Sequence, residues 1–290
     1  MAYIISEDAK ELLKDVKEFC QNEIVEQVKE YDISGEWPRE IYEKAVEMQL
    51  HMMDVPEEYG GLGLDHIDQA AILEQIAWAD AGVAVTLNGN GLALKPVLLA
   101  GNEEQKQKCC DIVVNGGWGV FALTEPDAGC DAANGKTTAV REGDEYVLNG
   151  RKCFITNAGV GDFFVVTAMT DKSKGTRGMS AFLIYKGTPG LSVGNHENKM
   201  GVRCSTTSDL VLDNVRIPVE NRLGEEGTGF ITAMKTLDLA RTWCAVIAVG
   251  LAQRCIDEAV SYSKQRVQFG KPICRNQAIE FKLADMEIRT

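Results

Sequence analysis

Phe121-Ala122-Leu123-Thr124-Glu125-Pro126-Asp127-Ala128-Gly129-Cys130-Asp131, followed downstream by Lys152-Cys153-Phe154-Ile155-Thr156-Asn157, is the part of this chain that decides its fold. In the first segment an apolar run ends at Thr124, and Pro126 and Gly129 then turn the chain tightly. The second segment sets an aromatic and a hydroxyl side by side. Either one alone reads equally well as a β-hairpin whose aromatic and Thr face an ordinary core. The two in order, with a third motif on a long helix after them, count against that ordinary-hairpin reading.

Upstream, residues 6–116 read as helical. Ser6 precedes Glu7-Asp8 and the 3.6-period apolar set Leu12, Leu13, Val16 and Phe19, a helix start. Trp37-Pro38-Arg39-Glu40 places Pro in a first helical turn. Gly60, Gly61 and Gly63 lack a preceding strand and a following Lys-Ser/Thr, so they predict a turn before a helix over 66–79 rather than a phosphate-cradling loop. From Gly119 to Leu223, strand-like runs such as Glu145–Leu148 and Phe163–Ala168 alternate with turn residues. Glu142-Gly143-Asp144 and Asn149-Gly150 are hairpin signals.

Between Phe230 and Gln265 there is no proline and a single glycine, Gly250, which predicts one long helix in need of neighbours. Phe269-Gly270-Lys271-Pro272 stops it. A second helix starts near Asn276 and still runs, uncapped, at Thr290. The expected fold class is therefore α+β and multidomain: an N-terminal helical domain (1–118), a middle antiparallel β-domain (119–224), and the start of a C-terminal helical bundle (225–290) that is incomplete, as in a C-terminally truncated chain.

The chain has 290 residues, 45% hydrophobic and 25% charged, as in ordinary globular proteins. Its net charge of −13, with no long run of Lys or Arg, argues against nucleic acid as a partner. Nine cysteines without CxxC spacing read as reduced, mostly buried thiols, and the three histidines show no metal-binding spacing, so no metal is expected. The first residues are acidic and unlike a signal peptide, and no run approaches eighteen apolar residues; a cytoplasmic protein without membrane partner is expected.

The two quoted segments, with Tyr262-Ser263-Lys264-Gln265-Arg266-Val267-Gln268-Phe269-Gly270-Lys271-Pro272, resemble the acyl-CoA dehydrogenase family over the whole chain, its short-chain branch above all. The resemblance implies FAD as cofactor and an acyl-CoA thioester as substrate. A carboxylate would take the α-proton while hydride passes from the β-carbon to the flavin. It places Phe121, Leu123, Thr124, Gly129, Phe154, Ile155 and Thr156 around the flavin ring. Thr124 and Thr156 supply hydroxyls and Phe154 an aromatic wall. Arg266, Gln268, Phe269 and Gln277 match residues that reach the FAD of a neighbouring subunit, implying a homo-oligomer, a tetramer when complete.

Cys130, Asp238 and Arg241 match substrate-side positions, with Arg241 expected to point inward near the thioester. At Cys130 the family usually has Ser or Thr, and a thiol is a weaker donor. The segment that carries the family's catalytic Glu does not occur, and Ala240 stands where one branch keeps it, so a Glu base is expected beyond Thr290 and no catalytic residue within this chain. The resemblance further implies electron transfer to an electron-transferring flavoprotein. An enoyl-CoA reductase, an acyl-CoA oxidase and a non-catalytic flavin-binding scaffold are alternative readings of the same fold.

Overall fold

The computed structural model describes residues 5–290. Ser6 caps α1 (Glu7–Phe19), its hydroxyl accepting the Ala9 N–H. One turn of π-helix, Cys20–Ile24, leads into α2 (Val25–Ser34). Pro38 stands at the N-cap of α3 (Arg39–Glu47), one position earlier than a first-turn proline. Asp65 caps α4 (His66–Ala79), Asp80 caps α5 (Ala81–Ala100), and a reciprocal Asn102–Gln105 capping box starts α6 (Glu103–Val114). α1 to α5 share a core around Ile41, Tyr42, Ile72, Ile76 and Leu87, while Cys109, Cys110 and Val113 of α6 pack under the sheet. The Gly60–Gly63 stretch is a turn: Gly60 has φ 86°, and a Cβ on Gly61 would collide with the Val55 backbone.

The middle of the chain forms one sheet from β1 (Gly119–Ala122), β2 (Thr138–Glu142), β3 (Glu145–Thr156), β4 (Phe163–Met169), β5 (Met179–Tyr185), β6 (Leu191–His196), β7 (Thr207–Pro218) and β8 (Arg222–Leu223). Its order is β6-β7-β3-β2-β4-β5-β8, with β1 also beside β4. The sheet is mixed, not purely antiparallel. The chain leaves β1, completes the β2–β3 hairpin and returns through β4 alongside β1 in the same direction, which makes that pair parallel (Val120 opposite Phe164). Gly143-Asp144 does turn the β2–β3 hairpin. Asn149-Gly150 does not turn the chain: β3 runs through it, and the register slips against an extra residue of β7. Asn214, at φ 52°, donates its backbone N–H to the Asn149 side chain there (2.8 Å).

α7 (Gly229–Gln265) is the long helix foreseen. It starts against the Ser180 backbone, where Gly229 alone has room, and crosses α4 at Gly250. The hairpin of β9 (Val267–Gln268) and β10 (Lys271–Pro272) then leads to α8 (Gln277–Arg289).

The expectation that no segment is apolar over a membrane-spanning length needs correction: α5 and α7 are both long and apolar enough by length and composition. The apolar residues of α5 are used internally. Val83, Ala84 and Leu87 pack with the N-terminal helices, and Ala93, Leu94 and Val97 pack under the sheet. Trp243, Val246 and Ile247 of α7 join the first of these cores.

α5 also carries a pH-sensitive contact. The Asp54 carboxylate occupies the space that a Cβ on Gly91 would need. Burial pushes this carboxyl up to about 6, against the opposing pull of Lys95 and His66. A carboxyl raised in the folded state favours folding most fully below its unfolded value near 3.8 and loses that contribution as pH rises through about 6. Asp54→Asn is therefore expected to raise the melting temperature at pH 7.5, by an amount corresponding to about 2 kcal/mol, and to change little at pH 4. Thermal melts of both proteins at the two pH values check this.

Candidate functional site

A cavity of 470 Å³ opens where α5, the end of β1, the end of β3 and the start of α7 meet. Its walls come from Gly89 and Leu92 of α5, Phe121 of β1, Leu123 and Thr124 just after it, and the Gly129–Ala133 loop. Phe154, Ile155 and Thr156 of β3 and Phe230, Met234 and Leu237 of α7 close it. A largely apolar concavity with a few hydroxyls is the ordinary form of a cofactor site.

Backbone geometry at the end of β3 explains why these residues meet. Lys152 pairs with Leu210 of β7, but Ile155 pairs with Ser208, so β3 carries one extra residue between them. Phe154 absorbs the bulge in the left-handed region (φ 58°) and remains 63% exposed at the cavity. Freed from β7, Cys153 donates its backbone N–H to the Thr124 carbonyl (3.0 Å). Asn157, fully buried at φ 61°, donates its side-chain amide to the Thr86 carbonyl of α5 (2.9 Å). Gly89 leaves the space for that amide: a Cβ there would lie 2.5 Å from Asn157 Nδ2.

A buried ion pair lies behind the cavity. Lys152 Nζ donates to Glu125 Oε1 (2.7 Å), to the Leu123 carbonyl (3.0 Å) and to Thr167 Oγ1 (3.2 Å). Glu125 also accepts the backbone N–H groups of Lys136 (2.6 Å) and Thr137 (3.1 Å). Burial raises the Glu125 carboxyl, yet the Lys152 ammonium and these donors outweigh it and hold the group below its usual value. Glu125 is thus a charged, fully engaged structural carboxylate with no free geometry for proton abstraction.

The residues expected around a flavin, Phe121, Leu123, Thr124, Gly129, Phe154, Ile155 and Thr156, all line this one cavity, and so does Cys130. The carbonyls of Leu123 and Thr124 are turned toward β3 by the bonds just described, while Thr124 and Thr156, both hydroxyl-bearing, belong to the lining. Hydroxyl donors set in apolar walls fit a flat aromatic ring with acceptors on its edge, as a flavin has.

Arg241 departs from expectation. It lies one helical turn beyond Leu237, past the rim of the cavity, and pairs with Asp238 (2.7 Å) with both side chains 70% exposed. Its position is exposed rather than inward. Arg266, Gln268, Phe269 and Gln277 lie on the β9–β10 hairpin and at the start of α8, away from the cavity lining, with Phe269 98% exposed at φ 51°.

Sequence reasoning missed Gly89, Leu92, Asp131, Ala132, Ala133, Phe230, Met234 and Leu237. The spacing of Phe230, Met234 and Leu237 marks one face of a helix, which was the available signal. Asp131 is the carboxylate among the lining residues, and it is exposed.

Thiol chemistry gives a direct footprint of the cavity. Burial pushes Cys20, Cys109 and Cys110 up to about 12, whereas Cys130, Cys244 and Cys255 are exposed. Iodoacetamide is expected to label the three exposed thiols. A ligand filling the cavity is expected to protect Cys130 several-fold without slowing Cys244 or Cys255, as read by peptide mass mapping.

Comparison with known proteins agrees with this geometry. Models of the acyl-CoA dehydrogenase N-terminal, middle and C-terminal domains match residues 6–117, 120–215 and 227–290. A short-chain-specific acyl-CoA dehydrogenase of Megasphaera elsdenii is 43% identical over 100% of this chain and 77% of its own length. A subunit of the caffeyl-CoA reductase–Etf complex of Acetobacterium woodii is 44% identical over 97% of this chain and 75% of its own. The solved butyryl-CoA dehydrogenase of Megasphaera elsdenii superposes with a TM-score of 0.96 at 42% identity, covering 100% of this chain and 77% of that one. An acyl-CoA dehydrogenase from Bacillus anthracis solved in complex with FAD gives 0.89 at 39% identity, covering 97% of this chain and 48% of that one. With three successive domain models and the assembled cavity in agreement, the chain belongs to the acyl-CoA dehydrogenase family.

Proposed function

We propose that this protein binds FAD in the cavity between β1, β3 and α7 and serves the α,β-dehydrogenation of a short-chain acyl-CoA thioester to the 2-enoyl-CoA, with electrons leaving to an electron-transferring flavoprotein. The observation that carries this reading is the convergence of Phe121–Thr124 and Phe154–Thr156 on one cavity, in a chain whose relatives are named for acyl-CoA chemistry. When bound, FAD supplies the two-electron acceptor that the amino acids lack. Thr124 and Thr156 would hold the ring edge, and Phe154 with Leu123 and Ile155 its apolar faces. Phe230, Met234 and Leu237 of α7 give an apolar wall against which an acyl chain would lie, with Cys130 at its polar end.

Arg266, Gln268, Phe269 and Gln277 are exposed, as suits contact with the FAD of another copy in a homotetramer. We assign no proton-abstracting base within residues 5–290. Glu125 is committed to Lys152, Asp238 to Arg241, and Asp131 is exposed without a partner that would fix it toward the cavity.

The test is an anaerobic visible spectrum of the FAD-reconstituted protein before and after butyryl-CoA. Bleaching would support the dehydrogenation and show a competent base among residues 5–290, with Asp131→Asn as the next variant; bound flavin that stays oxidised would count against dehydrogenation by these residues alone. Failure to bind FAD at all would sink the cofactor assignment. The similarity to the caffeyl-CoA reductase–Etf subunit favours one second reading, an enoyl-CoA reductase using the same site in the opposite direction. Reduced bound flavin reoxidised by crotonyl-CoA faster than it is reduced by butyryl-CoA would favour it.

A further inference from the structure

We propose that Glu125 and Lys152 are positioning residues for the flavin: their buried ion pair sets the distance between the two cavity-lining segments and thereby the affinity of the site. This inference rests on the FAD reading above. Glu125 immediately follows Thr124 in the first segment, and Lys152 stands just before the bulge that presents Phe154, Ile155 and Thr156 in the second. Three consecutive residues of the first segment are tied to the second. The Leu123 carbonyl and the Glu125 carboxylate are held by Lys152 Nζ, and the Thr124 carbonyl by the Cys153 N–H.

No ladder of the sheet does this. β3 pairs with β7 on both sides of its bulge and β1 ends at Ala122, so the first segment beyond β1 is joined to the second by these side-chain and single backbone bonds. Lys152 is 1% and Glu125 5% exposed in the side chain, and every ammonium proton has an acceptor. A charge pair so buried is costly to desolvate and is often replaceable by apolar residues without loss of stability. Its value here lies in geometry: the ammonium is the one group that reaches both the backbone and the side chain of the facing segment. Thr167 of β4 adds a third anchor and fixes the pair against the sheet.

The variants separate positioning from stability. Lys152→Met alone leaves a buried carboxylate without its cation and is expected to lower the melting temperature of the FAD-free protein strongly. The double variant Glu125→Gln, Lys152→Met removes both charges. It is expected to recover most of that melting temperature yet bind FAD about tenfold or more weakly, with a shifted visible spectrum of the bound flavin, because the tie to the Leu123 carbonyl is gone.

Glu125→Gln alone keeps an acceptor for the Lys136 and Thr137 N–H groups but leaves the buried Lys152 ammonium without its anion, and is expected to lower the melting temperature and to weaken FAD severalfold. Wild-type FAD affinity and spectrum in the double variant would overturn the proposal. Should the double variant not fold, wild-type affinity in Glu125→Gln would do so. Absence of FAD binding by the unmodified protein fails the cofactor reading itself, a distinct outcome.

Discussion

Gly250→Val is expected to destabilise the protein by about 3 kcal/mol or more, enough to lower its melting temperature by several degrees and to cut its soluble yield. Helix propensity predicts the opposite sign, since glycine in a helix interior costs up to about 1 kcal/mol relative to alanine. The crossing decides. A Cβ on Gly250 would sit 2.8 Å from Ala77 Cβ and 2.9 Å from the Trp78 backbone nitrogen, and closer still to the Glu74 carbonyl oxygen. These are backbone and stub atoms of α4, and they cannot rotate away. α4 and α7 would have to separate, opening the core around Ile72, Ile76 and Trp243. Denaturant unfolding of wild type, Gly250→Ala and Gly250→Val checks the claim. Alanine is expected to destabilise less than valine, and a gain in stability for alanine would show that the helices yield easily.

Gly89→Val is expected to reduce FAD affinity by about 30-fold or more while leaving most of the fold in place. A Cβ at this position would lie 2.5 Å from Asn157 Nδ2 and 3.9 Å from Thr156 Cγ2. The Asn157 amide would lose the Thr86 carbonyl, and an unsatisfied buried amide costs about 1–3 kcal/mol. Relief of that cost moves Thr156, a residue of the cavity wall. Titration of the apoprotein with FAD, followed by flavin fluorescence, measures the effect; unchanged affinity would remove Asn157 and Gly89 from the list of groups that shape the site.

How far the fold and site could be read in advance follows from how local each signal is. Phe121–Thr124 and Phe154–Thr156 are contiguous segments, and their neighbours in sequence are their neighbours in the cavity wall. The long helix was visible because no proline and no glycine other than Gly250 lies between Phe230 and Gln265, although its sequence gives no hint that this glycine is a crossing point. Asn149-Gly150 carries the composition of a turn, and only the extra residue of β7 opposite it makes it a bulge. The parallel pairing of β1 with β4 was equally hidden, since a strand does not encode its partner's direction. The exposed setting of Arg241 was not legible because an inward or outward aim depends on where along α7 the cavity lining ends, at Leu237. Gly89 and Leu92 could not be seen at all: on α5 they are small and apolar residues among many.

The cavity draws its walls from Gly89 through Leu237, so most of the chain must leave the ribosome before any ligand can be enclosed. The N-terminal helices and the β2–β3 hairpin close contacts within short stretches, whereas Phe230, Met234 and Leu237 close theirs across more than a hundred residues. During synthesis the helical layer and the sheet therefore have the means to form before α7 closes the site. A cavity whose last wall is α7 is thus completed late in the chain's emergence, after the segments that carry its other walls.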